Sequence, residues 1–154
     1  MTALLEALRQ TLRTEMPVTQ HLGIEVASYR GGVLTLRAPL AANVNHKGTA
    51  FGGSLNAIAT LACWGVLWLA LGESGVAGEA VIQDSSVRYL RPVADDFTAR
   101  AGPPDPEAFQ RLLAAIRRRG RGRIGLSAEV LDAGGVAVNF SGRYVVHAPV
   151  ASAD

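Results

Sequence analysis

The residues whose types and spacing could do chemistry run from Asn43 to Asn56: Asn-Val-Asn-His-Lys-Gly-Thr-Ala-Phe-Gly-Gly-Ser-Leu-Asn. This polar, glycine-bearing stretch leads directly into an apolar segment, Ala57 to Leu71. Gly52 and Gly53 fall where loop becomes helix. The first N–H groups of a helix have no partner inside it, and the helix start carries a partial positive charge. Glycine lets a ligand come close to that backbone. The junction therefore suits an oxygen that carries or develops negative charge. Gly52, Gly53 and Ser54 are the candidate N–H donors, an oxyanion-hole arrangement in which each donor is worth about 2.7–4 kcal/mol. The competing reading is a tight loop in which Ser54 caps the helix.

The flanking polar residues extend this candidate site. Asn45 could hold a water or a carbonyl, or tie its own loop together as Asn43 is expected to do. His46 could bind substrate or act as a base; a surface histidine is the blander reading. Asn56 and Thr60 are one helical turn apart on one face. Thr60 could orient a water but is no strong base, and its alternative is a bond to the backbone. Cys63 would need an activating partner to be a nucleophile, so a packed thiol is expected. Asp84 sits in Val81-Ile-Gln-Asp-Ser-Ser-Val87, a strand pattern in which aspartate is disfavoured. Partial burial would raise its pKa and suit it to general-base work; the alternative is pairing with an arginine such as Arg88.

Arg88 and Arg91 could meet phosphates or pair with acids across an interface. The run Arg117-Arg-Arg-Gly-Arg-Gly-Arg123, with Arg121 and Arg123 as candidate substrate contacts, could grip a nucleotide or an acidic partner, or simply solvate a helix end. No aromatic residues interleave it, which argues against nucleic-acid stacking. Trp64 and Trp68, four apart, belong to the core or to the wall of an apolar tunnel. Three scattered histidines and one cysteine have no metal-ligand spacing.

These residues need elements to position them. Leu4, Leu5, Leu8 and Leu12 recur at helical spacing and give an amphipathic helix over residues 1–16. Pro17 ends it or begins a turn through His21. Residues 23–29 and 33–38 alternate around Arg30-Gly-Gly32, a hairpin signal. A central helix is expected over 51–72, ended by Gly72 and Gly75. Strands follow at 80–90 and 96–101, then a helix at 107–118. A second long hairpin is expected over 123–131 and 136–146. Hairpins at both ends with one apolar helix between them predict an α+β fold, an antiparallel sheet curling around a helix that needs cover on most sides.

The whole composition bounds the function classes. At 154 residues the chain reads as one domain, 1–154, and 49% of it is hydrophobic. Its +2 net charge rests on fourteen arginines and one lysine. A lone cysteine forms no internal disulfide and fits a reducing cytoplasm, and the N-terminus lacks the pattern of a secretory signal. Ala57–Leu71 is shorter than the roughly 20 apolar residues of a membrane span, so a buried core helix is expected rather than a membrane partner.

The stretch from Asn45 to Leu55 resembles the loop-to-helix signature of hotdog-fold acyl-thioesterases, in particular the thioesterase family found as the C-terminal domain of YiiD-type proteins. Asp84-Ser-Ser-Val-Arg-Tyr-Leu-Arg-Pro-Val93 is a second matching block, and Arg119-Gly-Arg-Gly-Arg-Ile-Gly-Leu126 a weaker third. The resemblance implies a hotdog fold, a homodimer or dimer of dimers, and active sites at the dimer interface facing helix N-termini. It implies acyl-CoA or acyl-carrier-protein thioesters as substrates, coenzyme A entering as part of the substrate and no separate cofactor. In related phenylacetyl-CoA-type thioesterases a His and a helix carboxylate follow the Asn. In register, Asn45 matches that Asn, Phe51 stands for the His and Thr60 for the acid. The expected mechanism is then attack by a water held by Asn45 and Thr60, with Asp84 as the displaced base. The missing acid also motivates a rival, a non-hydrolytic acyl-CoA or acyl-carrier binder or acyl-transfer module. A dehydratase or isomerase would need the His that Phe51 replaces, and a nucleic-acid partner is not expected.

Overall fold

The computed structural model describes residues 2–149; Met1 and 150–154, the ends of the expected domain, lie outside them. Helix α1 (Thr2–Glu15) buries Leu8 and Leu12. A short α2 (Val18–Leu22) follows, where the sequence pattern placed a turn through His21. Strands β1 (Glu25–Arg30) and β2 (Val33–Ala38) form the expected hairpin. Its turn needs φ of +58° at Gly31 and +76° at Gly32, which glycine adopts without the Cβ penalty. After a long loop come α3 (Gly52–Glu73), β3 (Glu79–Tyr89) and β4 (Phe97–Ala101). Then α4 (Pro106–Arg119), β5 (Arg121–Asp132) and β6 (Gly135–His147) complete the chain.

The six strands form one antiparallel sheet in the order β1-β2-β4-β5-β6-β3. Helix α3 packs against it as the core helix, burying Ile58, Ala62, Val66 and Leu69 among others. This is the α+β hotdog arrangement that the sequence implied. By length and composition alone α3 could cross a membrane; here the sheet and α1 cover most of it. Gly72 does not terminate α3. A Cβ there would lie 2.8 Å from Leu4 Cδ1, so this glycine permits α1 to approach, and the helix ends one residue later, at Glu73, with Gly75 at φ +70°.

Directly opposed residues of an antiparallel pair share a face. On β6, Val138, Phe140, Tyr144 and Val146 are buried, and the intervening Asn139, Ser141 and Arg143 are exposed. Their β3 partners sort the same way. Ala80, Ile82, Ser85, Val87 and Tyr89 face α3, whereas Val81, Asp84, Ser86 and Arg88 lie on the outer face. A bulge between Ile82 and Asp84 resets the alternation.

Beyond β3, Arg91 is clamped. Its guanidinium donates to both carboxylate oxygens of Asp132, at 2.6 and 3.0 Å, and to the Gly135 carbonyl at 2.7 Å. This fastens the chain after β3 to the β5–β6 turn. Arg91 is thus a structural tie, which corrects its expected role in substrate binding. Hydrogen bonding from Arg91 holds the Asp132 carboxyl below its ordinary 3.8. A depressed carboxyl pKa contributes stability that is present above 3.8 and lost as pH falls through the folded value. Asp132→Asn should therefore lower Tm at pH 7, and the gap to wild type should close below about pH 4, as read by thermal unfolding across pH.

Candidate functional site

The loop between β2 and α3 is built by its asparagines. Asn43 is buried, and its Nδ2 donates to the Leu22 and Pro39 carbonyls, both at 2.8 Å. Its carbonyl accepts from Phe51 N at 2.7 Å, immediately before the helix. Asn45 closes the loop tip: Nδ2 donates to Thr49 Oγ1 at 2.8 Å, and Oδ1 accepts from Lys47 N at 2.8 Å and Thr49 N at 3.2 Å. Its side chain is therefore committed mainly to its own loop. Ala50 N donates to the Val93 carbonyl at 2.8 Å, tying the loop to the chain after β3. His46 is exposed on this loop.

These ties present the start of α3. Phe51 is the N-cap, in extended conformation, and no side chain caps the helix. Ser54 N–H is already used, donating to the Phe51 carbonyl at 2.9 Å. That removes Ser54 from the set of carbonyl-polarising donors; it is not the cap either, since Phe51 holds that position and no side-chain hydrogen bond caps the helix. The N–H groups of Gly52 and Gly53 have no acceptor among the described residues. Ser54 itself is buried. A Cβ on Gly53 would lie 2.3 Å from Phe51 Cε1, so any larger residue there would displace the exposed Phe51 ring that lies beside it.

A residue that sequence reasoning missed stands beside them. Tyr89, the last residue of β3, donates its hydroxyl to the Gly52 carbonyl at 3.1 Å. The signal for it was an aromatic inside the second matching block, at the end of a strand pattern. About two turns into α3, Thr60 Oγ1 donates to Asn56 Oδ1 at 3.4 Å, a contact between side chains rather than to backbone. Tyr144 Oη donates to the Thr60 carbonyl at 2.6 Å. Asn56, Thr60, Trp64 and Trp68 form a half-buried stripe along α3. The two tryptophans have ring centroids 6.3 Å apart, and Trp64 Nε1 donates to the Ala80 carbonyl at 3.0 Å. Burial pushes the Cys63 thiol up to about 12, so it stays protonated and inert.

Four expected residues lie elsewhere. Asp84 is on the outer face, its side chain 62% exposed and 3.8 Å from Arg143, with the sheet between it and α3. It is neither buried nor beside the helix, which corrects its expected place as the displaced base. The partner within the chain is Arg143 rather than Arg88, because Arg143 opposes it across β3–β6. Arg88 is exposed on the same outer face. Arg121 and Arg123 are exposed at the start of β5. The only carboxylate on α3 is Glu73, its last residue. No group of three or more His, Cys, Asp or Glu that could hold a metal ion occurs among the described residues.

Comparison with known proteins places this geometry. A family model described as "Putative thioesterase (yiiD_Cterm)" matches residues 5–148. The chain belongs to this thioesterase family. A protein of unknown function from Chlorobaculum tepidum TLS superposes with a TM-score of 0.89 at 33% identity, over 94% of each chain. A protein from Shewanella oneidensis described as "putative thioesterase" gives 0.84 at 33% identity, over 97% of this chain and all of that one. A thioesterase from Haemophilus influenzae, at 21% identity, shares the fold with a TM-score of 0.74, over 93% of this chain and 90% of that one. In this thioesterase the presenting loop depends on Asn43. Asn43→Ala would leave two part-buried carbonyls, of Leu22 and Pro39, without donors, each costing about 1–3 kcal/mol. It should lower Tm by at least about 4 °C, measured by calorimetry.

Proposed function

We propose that this thioester hydrolase acts on acyl-CoA or acyl-carrier-protein thioesters at the start of α3. The observation that carries the reading is the pair of unpartnered N–H groups on Gly52 and Gly53, at the head of a 22-residue apolar helix. The thioester oxygen lies against them, and the helix start favours the charge it develops. The acyl chain runs along the half-buried stripe past Thr60 toward Trp64 and Trp68. A water oxygen bonds to the carbonyl carbon, the C–S bond breaks, and the sulfur leaves as thiolate and takes a proton. With no carboxylate on α3 before Glu73, the water proton passes to solvent at the open mouth. The same lack favours one second reading, a module that binds thioesters without cleaving them.

The site is completed by a second copy of the chain. Strand β3 is a sheet edge, with one side unpaired over eleven residues. Unpaired edges invite strand addition. Its exposed apolar residues come in two groups, Val81 (56%) with Ile82 (39%) and Tyr89 (50%) with Leu90 (49%). Antiparallel self-pairing about Ser86 matches them. Ser85 then opposes the partner's Val87, and Asp84 opposes the partner's Arg88. The bulge at Gln83 shifts the count by one, so Ile82 opposes the partner's Tyr89, and Val81 opposes Leu90 of the partner subunit. Every pair lies on a common face.

Release of free thiol from acyl-CoAs of graded length, followed with a thiol reagent, tests the reaction; tight binding without thiol release would replace hydrolysis with the binder. Gly52 is the first helical residue, and Phe51 before it has φ −62° and ψ 130°, a conformation that proline tolerates after it. Gly52→Pro deletes one N–H with the helix intact and should cut turnover by about 100-fold or more. Gly52→Ala keeps the N–H and should stay within about threefold, since its Cβ would meet the Tyr89 ring at an ordinary 3.6 Å. For the dimer, Asp84→Arg or Arg88→Asp alone should weaken association roughly tenfold and the double exchange should restore it, read by sedimentation. Turnover by Asp84→Asn at saturating dimer should change by no more than about twofold.

A further inference from the structure

Helix α3 and strand β3 lie side by side and are fastened to each other at two places. At the loop end, Tyr89 Oη donates to the Gly52 carbonyl at 3.1 Å. At the far end, Trp64 Nε1 donates to the Ala80 carbonyl at 3.0 Å. Gly52, Asn56, Thr60 and Trp64 follow at four-residue spacing and so share one side of the helix. The first and last of them meet β3, so Asn56 and Thr60 between them face the same strand. Opposite them β3 turns Val87, Ser85 and Ile82 toward the helix. Ser85 and Ile82 nevertheless remain exposed, and Asn56 and Thr60 are only half-buried. The space between the two ties is therefore an open trench that starts at the Gly52 and Gly53 N–H groups. Beside it Ala59, Cys63 and Tyr144 are fully buried, which closes the way down into the core. Trp64 ends the trench. Its indole is held by the bond to Ala80, and Trp68 backs it from the next turn with ring centroids 6.3 Å apart.

We propose that Trp64 sets the length of acyl group that this thioesterase accepts, with a limit of about ten carbons. The proposal rests on the hydrolase reading, in which the thioester oxygen lies at Gly52 and Gly53. A chain attached to that carbonyl carbon enters the trench directly, because the trench is continuous with the two N–H groups. Val87, Ile82 and the Trp64 ring give it apolar contact. Thr60 directs its hydroxyl to Asn56, so the two polar side chains on the helix serve each other as the chain passes. The length follows from helix geometry. From Gly53 to Trp64 is eleven residue steps, about 16 Å of helix. Contact with the ring takes about 4 Å of that. A zigzag carbon chain advances about 1.3 Å per bond, so about ten carbons fill what is left. Longer chains meet a ring that is tied on one side and backed on the other.

The test measures kcat/KM for straight-chain acyl-CoAs from butanoyl to hexadecanoyl. In wild type the value should fall at least about tenfold from octanoyl to tetradecanoyl. Trp64→Ala opens the trench as far as Trp68, one turn or about 6 Å further on. It should raise the ratio of tetradecanoyl to octanoyl turnover at least about tenfold. Trp64→Phe drops the bond to Ala80 but keeps a ring, and should hold that ratio within about threefold of wild type. Thr60→Phe sets a ring one turn nearer the mouth and should shorten the limit by about four carbons; it decides the matter if Trp64→Ala does not fold. A wild-type value that holds through hexadecanoyl would overturn the proposal. So would a ratio that Trp64→Ala, folded, leaves unmoved, or a loss equal at every length, which would put the pantetheine arm in the trench instead of the acyl chain. If wild type releases no thiol at any length, the hydrolase reading fails by itself. Calorimetric Kd values for the same series then still decide whether binding weakens beyond about ten carbons.

Discussion

The structure depends on the need to cover α3. Its 22 residues include one charged side chain, at the very end, and no face of it is suited to open water. A helix that is apolar nearly all round must be enclosed. One sheet, bent over it, supplies most of that enclosure with alternating buried residues from β2, β4, β5 and β6. Helix α1 adds Leu8 and Leu12 from the other side. What the chain does not cover is the stripe from Asn56 to Trp68 and the free side of β3. Both lie where a substrate chain and a second subunit would be placed.

The same constraint explains the polar end. A helix that is buried along its length still has unpaired N–H groups at its start. Here a side-chain cap is absent, and one of the first N–H groups is folded back onto the Phe51 carbonyl. The remaining two sit on glycines, one beside the Phe51 ring and one beside Tyr89. The loop before them spends its asparagine side chains on holding that geometry. Asn43 and Asn45 therefore act through the backbone they position.

Much of this was legible in the sequence. Apolar spacing in Leu4–Leu12 and in Phe109–Ile116 marked two helices, and alternation marked the strands to within a few residues. The caps of α4, Asp105 accepting from Ala108 N and Gly120 at φ +74°, are features the structure adds to that reading. The Gly52–Gly53 junction was visible because loop polarity and helix apolarity meet there. Asp84 and Arg91 were not legible in the same way. A strand of period two has two faces, and the pattern around Asp84 is polar on both, so it did not say which side meets the helix. The bulge at Gln83 further displaces any count along the strand. Arg91 has its partner 41 residues away, across a turn that brings Asp132 to it.

The sequence by itself determined the elements, the core helix and the glycine junction, because these follow from local periodicity and from backbone freedom at single residues. The tertiary structure alone decided which polar side chains share a space. It moved Asp84 to the outer face, turned Arg91 into a clamp and brought Tyr89 to the start of α3. Those outcomes depend on strand register and on packing between distant segments. Both are settled by burying α3 within the sheet, and local sequence carries little record of either.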